Sequence, residues 1–285
     1  MELEKYHGLG NDYLVFDPQK NSMSLNPARI RLICDRNYGF GSDGILYGPI
    51  LEDGKIRVRI FNPDGGEAEK SGNGVRIFSK YLKDAGYVTR KNFTLTTLGG
   101  DVTVEYLNDS GSLMKVLMGK VTYESGKIPV SGKNRQVIGE TMTFHGQSYQ
   151  VTCLSIGNPH CVIPMEEISR EKACELGPYV ERSENFPNRI NMQLLKVLDR
   201  HNIRIEIYER GAGYTLASGT SSCAAASAAY KLGLADRQMT VHMPGGELEI
   251  EIRPDETVYM TGRVSNIGTT VAAKQFTGEL ENLKD

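Results

Sequence analysis

The sequence predicts an α+β fold used twice, with strands packed around one buried helix in each half. Three observations carry this. The chain has 285 residues, more than a typical single domain of about 100–150. Its motifs recur in the same order at almost one spacing. Gly10-Asn11-Asp12-Tyr13-Leu14-Val15 is echoed by Gly157-Asn158-Pro159-His160-Cys161-Val162, and Ser71-Gly72-Asn73-Gly74 by Ser218-Gly219-Thr220-Ser221, both at an offset of 147. Gly99-Gly100-Asp101-Val102-Thr103-Val104 and Gly245-Gly246-Glu247-Leu248-Glu249-Ile250 match at 146. That period is far longer than the roughly 20–50 residues of a solenoid repeat, so it marks two domains and not an array. Finally, each half alternates polar and apolar residues on either side of one helical stretch.

The elements follow in chain order. Lys55–Phe61 alternates and reads as a half-buried strand. A glycine-rich turn leads into Val75–Leu82, whose apolar residues recur near the helical period, with Gly86 as its end. Asp101–Tyr106 is the next alternating strand, and Thr122–Asn134 reads as a polar connection. The second half repeats the plan. Asn202–Tyr208 is a strand, Ser222–Tyr230 a helix closed near Gly233, and Glu247–Arg253 a strand. Small residues on every face of Ser222–Tyr230 suit a helix buried on all sides. The expected domains are residues 1–121, joined by a returning strand within about 266–278 (near Thr269–Lys274), and residues 122–265.

Composition narrows the function classes. Lys and Arg number 33 against 35 Asp and Glu, a net charge of −2. That gives no general attraction to nucleic acid or to an anionic membrane. No apolar run reaches the roughly 18 residues of a transmembrane helix. The start, MELEKYHGLGNDYLVFD, lacks a signal peptide's basic and apolar regions, so a cytoplasmic protein is expected. Cys34, Cys153, Cys161, Cys174 and Cys223 are odd in number and widely spaced, which argues against a disulfide framework or a structural zinc site. Most are expected to be buried small hydrophobes. There is no P-loop, no H-E-x-x-H and no G-x-S-x-G. Gly39-Phe40-Gly41-Ser42-Asp43-Gly44 resembles a dinucleotide fingerprint only loosely and is better read as a structural turn. No metal is expected. The sequence fixes no oligomeric state, and a homodimer is an allowed assembly.

The chemistry is expected where each half enters its helix, at Glu69-Lys70-Ser71-Gly72-Asn73-Gly74 and Leu216-Ala217-Ser218-Gly219-Thr220-Ser221. A serine there ordinarily caps the helix, worth about 0.5–2 kcal/mol. Two at duplicated positions raise the functional reading. Helix N-termini carry unpaired N–H donors and partial positive charge, suited to a carboxylate or phosphate. With the domains facing each other about a pseudo-twofold axis, both serines would reach one ligand in an anion-binding cleft.

His7-Gly8-Leu9-Gly10-Asn11-Asp12, Arg59-Ile60-Phe61-Asn62-Pro63-Asp64-Gly65, Ser71-Gly72-Asn73-Gly74, Gly157-Asn158-Pro159-His160 and Glu209-Arg210-Gly211-x-Gly together resemble the diaminopimelate epimerase family, over nearly the whole chain and in the family's order. The resemblance implies two pseudo-twofold-related domains, each a curled sheet around a central helix. It implies an isomerase of lysine biosynthesis that epimerises LL- to meso-diaminopimelate, uses neither PLP nor metal, and takes a small amino acid as its substrate. It places catalysis at Ser71 and Ser218, with His160 nearby. It puts the reacting carboxylate on backbone amides of Gly72, Asn73, Gly74, Gly219, Thr220 and Ser221. The distal end of the substrate falls to Asn11, Asn62, Asn158, Asn191, Glu209 and Arg210.

One departure bears on the chemistry. The family has cysteine at both catalytic positions, one thiolate removing the α-proton and one thiol returning a proton to the other face. A serine hydroxyl is far less acidic and is a poor base without an activating neighbour, for which His160 and Glu209 are the candidates. Cys223 lies more than one helical turn beyond Ser218 and reads as structural. Tyr214 stands where the family usually has glutamate. The serine pair is either an engineered Cys→Ser replacement or a natural branch, and it leaves open an impaired or diverged epimerase, an isomerase of another amino acid, or an amino acid-binding protein without turnover.

Overall fold

A computed structural model describes residues 1–69 and 71–284. Lys70, part of the first helix-entry motif, lies outside the described residues. The chain divides into two compact units, Met1–Val116 with Gly262–Asp285, and Leu117–Thr261.

The first unit opens with β1 (Glu2–Gly8) antiparallel to β2 (Asn11–Phe16). Helix α1 (Pro27–Cys34) then crosses to β3 (Ile45–Glu52), which runs parallel to β2. β4 (Lys55–Phe61) returns antiparallel beside β3, and the short β5 (Glu67–Ala68) pairs with its end. Helix α2 (Gly72–Asp84) follows, then β6 (Asn92–Thr97), parallel to β4, then β7 (Gly100–Tyr106) and β8 (Leu113–Lys120) as a meander. Every residue of α2 from Gly72 to Leu82 is buried. Val75, Ile77, Phe78, Tyr81 and Leu82 carry its apolar contacts, as their helical spacing requires. The helix ends at Gly86, whose φ of +78° is the left-handed conformation that glycine adopts without penalty.

The second unit has a 3₁₀ turn at Ser125–Lys127 and β9 (Glu140–Phe144), and then repeats the same order. β10 (Gln147–Ser155) is antiparallel to β11 (Pro159–Pro164). Helix α3 (Arg170–Glu181) leads to β12 (Asn191–Asp199), parallel to β11. β13 (Asn202–Glu209), β14 (Gly213–Thr215) and helix α4 (Gly219–Lys231) come next. β15 (Gln238–Met243) lies parallel to β13, and β16 (Gly246–Ile252) and β17 (Thr257–Arg263) close the meander. Ser221 to Ala229 of α4 are all buried. The eight alanine and serine residues from Ser221 to Ala229 let strands approach the helix closely. The chain returns to the first unit as β18 (Ser265–Val271), antiparallel to β1. The expected strand near Thr269–Lys274 is corrected here: it ends at Val271, and Lys274 opens helix α5 (Lys274–Asn282).

Three helices go beyond one per half. α1 starts on an Asn26 cap with Pro27 at its first position, and α3 on a Ser169 cap. Gly177 and Pro178 lie inside α3 and read as a turn in sequence. The glycine is there for packing, because a Cβ at 177 would lie 2.3 Å from Cγ of Tyr208. The Gly39–Gly44 stretch is a turn, with Gly41 at φ +70°. Of the cysteines, Cys34, Cys153, Cys161 and Cys223 are buried and Cys174 is exposed. Among the described residues no helix is long and apolar enough to cross a membrane.

Candidate active site

Each unit builds one half-site at the start of its buried helix. In the first, Ser71 has extended backbone (φ −133°, ψ 122°), and its Oγ accepts the N–H of Gly74 at 3.0 Å. In the second, Ser218 (φ −148°, ψ 126°) accepts the N–H of Ser221 at 3.4 Å. The two serines therefore hold the same cap. This also assigns two of the six amides expected to receive a carboxylate. The N–H groups of Gly74 and Ser221 point at the capping hydroxyls, and those of Gly72, Asn73, Gly219 and Thr220 head the helices. Gly74 has to be small, since a Cβ there would meet Ser71 Cβ at 3.1 Å.

Asn11, Asn158 and Asn191 are tied to other segments, whereas Asn62 sits in its own turn. Asn11 donates to Asp43 at 2.9 Å and accepts from Asn73 at 3.0 Å. Asn73, itself buried, accepts from Arg76 at 2.6 Å. Asn158 repeats the arrangement. Its Nδ2 donates to Thr220 Oγ1 at 3.3 Å, and its Oδ1 lies 2.9 Å from His160 Nε2. Asn191 is tied at both ends: Nδ2 donates to the carbonyl of Pro159 at 2.8 Å, and Oδ1 accepts the N–H of Arg210 at 2.9 Å. It holds the Arg210 loop to β11. Asn62 is exposed in the turn after β4, where its N–H donates to Gly66 at 2.8 Å.

His160 is fully buried, and burial pushes its pKa down to about 3. The neighbouring Gln193 opposes this, and positive charge on Arg210 adds a smaller push in the same downward direction. At neutral pH the ring is uncharged. Gln193, also fully buried, lies beside the ring without completing a well-aligned bond to Nδ1, and donates to Ser221 Oγ at 3.1 Å. Of the two candidate activators, Glu209 is the one whose carboxyl interacts with Ser218. Burial raises its pKa, against the lowering effect of the neighbouring serine. Some of its surface stays open to solvent.

Arg210 is exposed, its Nη1 donating to the carbonyl of Asn188 at 3.2 Å. The loop after it is held by buried Glu181, which accepts the N–H of Gly211 at 2.7 Å and pairs with Arg189. The Tyr214 hydroxyl donates to Glu206 at 2.7 Å, and Arg170 lies over its ring.

Sequence reasoning passed over Tyr13. Its Oη lies 3.4 Å from Ser71 Oγ, and its side chain is buried. An aromatic residue at the head of an apolar strand reads as core. The signal was the 147-residue offset, which pairs Tyr13 with His160. Among the described residues no three His, Cys, Asp or Glu side chains group as metal ligands.

The model of the family described as diaminopimelate epimerase matches residues 3–124 and 152–267. Diaminopimelate epimerase 2 of Nostoc sp. strain PCC 7120 is 51% identical over 94% of either chain. The diaminopimelate epimerase of Moorella thermoacetica is 38% identical over 92% of this chain and 95% of its own. Among solved structures, a probable proline racemase from Agrobacterium radiobacter K84 superposes with a TM-score of 0.70 at 14% identity, covering 96% of this chain and 93% of that one. A hydroxyproline epimerase from Agrobacterium vitis gives 0.69 at 12% identity, covering 95% and 91%. Those two structures speak for the fold alone. The duplicated helix starts lie within a match that spans both units, and by that match the chain belongs to the diaminopimelate epimerase family.

Proposed function

We propose that this chain is an isomerase that interconverts LL- and meso-diaminopimelate by moving the α-proton between the two serine positions, Ser71 and Ser218. The observation that carries this reading is the Glu209 carboxyl, kept from water by burial and placed beside Ser218 at the start of α4. A serine becomes a useful base only when a neighbour takes its proton, and a carboxylate whose pKa is raised by burial is suited to that. Ser218 gives its proton to Glu209 as its oxygen removes the substrate's α-proton, and Ser71 protonates the other face. The helix-start amides of Gly72, Asn73, Gly219 and Thr220 hold the reacting carboxylate and stabilise the charge that develops on it. The exposed guanidinium of Arg210, with Asn62 and Asn158, receives the distal end. Asn11 and Asn191 hold the loops that present these groups.

The test is incubation of the full chain with LL-diaminopimelate in D2O, read by chiral chromatography and NMR. Meso product carrying deuterium at one α-carbon is the expected result. Absence of both product and exchange, with the ligand bound, overturns the reading in favour of a binding protein.

A further inference from the structure

We infer that Tyr13 is the proton-relay partner of Ser71, filling on the first serine the place that Glu209 fills on the second. This rests on the reading that both serines move the α-proton. The geometry comes from the duplication. β2 carries Tyr13 as β11 carries His160, and Gly44, which just precedes the parallel neighbour strand and accepts the N–H of Leu14, lies beside Tyr13 as Asn191 lies beside His160. Position 44 carries no side chain, and a Cβ there would lie 2.7 Å from Cε1 of Tyr13. The space goes to the phenol ring, whose Oη comes within 3.4 Å of Ser71 Oγ. That separation is long for a finished hydrogen bond, and such contacts commonly tighten when a substrate closes the site. On the same serine, the N–H of Gly74 already occupies one lone pair of Oγ at 3.0 Å. The counterpart of Glu209 in this unit is Asn62, which is exposed in its turn and cannot accept a proton. Among the described residues, the phenol is thus a proton-bearing group within reach of Ser71.

The step balances as follows. The α-C–H bond breaks, its proton goes to Ser218 Oγ, and the proton of Ser218 goes to the Glu209 carboxylate. The carbanion takes the proton of Ser71 Oγ, and Ser71 takes the phenolic proton of Tyr13. The phenolate and the carboxylic acid return to their starting forms by exchange with water. The reverse reaction runs the same path backwards. Tyr13 acts through Ser71, so it is a positioning and relay residue.

Tyr13→Phe keeps the ring and removes the relay proton. With LL-diaminopimelate in D2O, kcat should fall at least about 10-fold and KM should change less than about 2-fold, within the range of general acid–base contributions. The rate of the parent enzyme should fall at high pH as the phenol ionises, and the variant should lack that limb. Adding Ser71→Cys to Tyr13→Phe should restore most of kcat, because a thiol is itself acidic enough to need no relay. Should Tyr13→Phe fail to fold, 3-fluorotyrosine at position 13 keeps the ring and makes the phenol more acidic, and the high-pH limb must move to lower pH. An unchanged kcat in Tyr13→Phe, or an unmoved limb with fluorotyrosine, overturns the relay and leaves the epimerase reading standing. A parent enzyme without α-hydrogen exchange overturns both.

Discussion

Glu209→Gln separates the chemistry of the second half-site from its packing. The glutamine is nearly the same shape and keeps a polar group beside Ser218, but it cannot take the proton. General-base assistance is worth about 10²–10⁴ in rate, or about 3–5 kcal/mol at 1.36 kcal/mol per tenfold, so kcat should drop by that factor with KM little changed. The parent's activity should also fall on the acid side, as Glu209 protonates at a pKa raised above the ordinary carboxylate value. In Glu209→Gln that acid limb should vanish. Stability should move the other way. A carboxyl whose folded pKa is raised contributes most below its unfolded pKa, and this is lost as pH rises through the folded value. At neutral pH the buried carboxylate is therefore unfavourable, by about 1.4 kcal/mol for each unit of the raise. The variant should be the more stable protein near pH 7, with the gap closing towards pH 4. Steady-state turnover from pH 5 to 9 and urea denaturation at the two pH values are the assays. A variant with the parent's kcat and acid limb would refute Glu209 as the proton acceptor, and one less stable at pH 7 would refute the account of its burial.

Arg210→Ala should weaken ligands with a distal carboxylate by about 10- to 100-fold, the worth of a charge-assisted hydrogen bond of about 1.5–3 kcal/mol, and barely affect monocarboxylic amino acids. Calorimetric titration of both ligand types decides it, and equal losses would take Arg210 out of the site. His160 has a folded pKa of about 3 against an ordinary 6.5. Below pH 6.5 the unfolded chain takes up a proton that the folded one refuses, so stability contributed by this residue is intact above 6.5 and lost on the way down to about 3. His160→Asn should flatten the decline between pH 7.5 and 4.5 in paired urea titrations, and identical slopes would contradict the buried neutral ring. Gly177→Ala would drive a methyl to 2.3 Å from the Tyr208 ring. It should destabilise by about 1–3 kcal/mol, as overpacking does, and a change under about 0.5 kcal/mol in guanidinium denaturation would show that α3 can yield.

The parts of the site that were legible in sequence are those where backbone and side chain carry one message. Ser71-Gly72 and Ser218-Gly219 combine a cap residue, a glycine and a following apolar helix, and their recurrence at one offset made them stand out. What stayed hidden depends on contacts between distant residues. Gly177-Pro178 looks like a turn until the Tyr208 ring is seen to need the space. Asn191 carries the residue type of a ligand-binding amide, yet Pro159 and Arg210 engage both its ends. Tyr13-Leu14-Val15-Phe16 reads as an apolar strand, and nothing local separates its phenol from a core hydroxyl. Only the comparison of residue 13 with residue 160 does so.

The two half-sites share their caps and differ in the groups behind them, and serine chemistry explains why that matters. A pair of thiols starts near pKa 8.5 and falls further at a helix N-terminus, so one of two identical thiols can stand ionised beside its neutral twin near neutral pH. Two hydroxyls cannot divide in that way, because neither loses its proton unaided. A serine pair needs a polarity built in from outside. The duplication supplied the frame, with Ser71 and Ser218 presented by the same turn of backbone. Under the proposed mechanism, divergence at two pairs of positions supplies the polarity. At 62 and 209, an exposed asparagine stands in one unit and a carboxyl beside Ser218 in the other. At 13 and 160, a phenol beside Ser71 is matched by a neutral imidazole beside Asn158. A carboxylate behind one serine favours accepting a proton, and a phenol behind the other favours giving one. On this reading, changing either serine alone to cysteine should leave the opposite half-site still dependent on its partner, whereas changing both should make Glu209 and Tyr13 dispensable together.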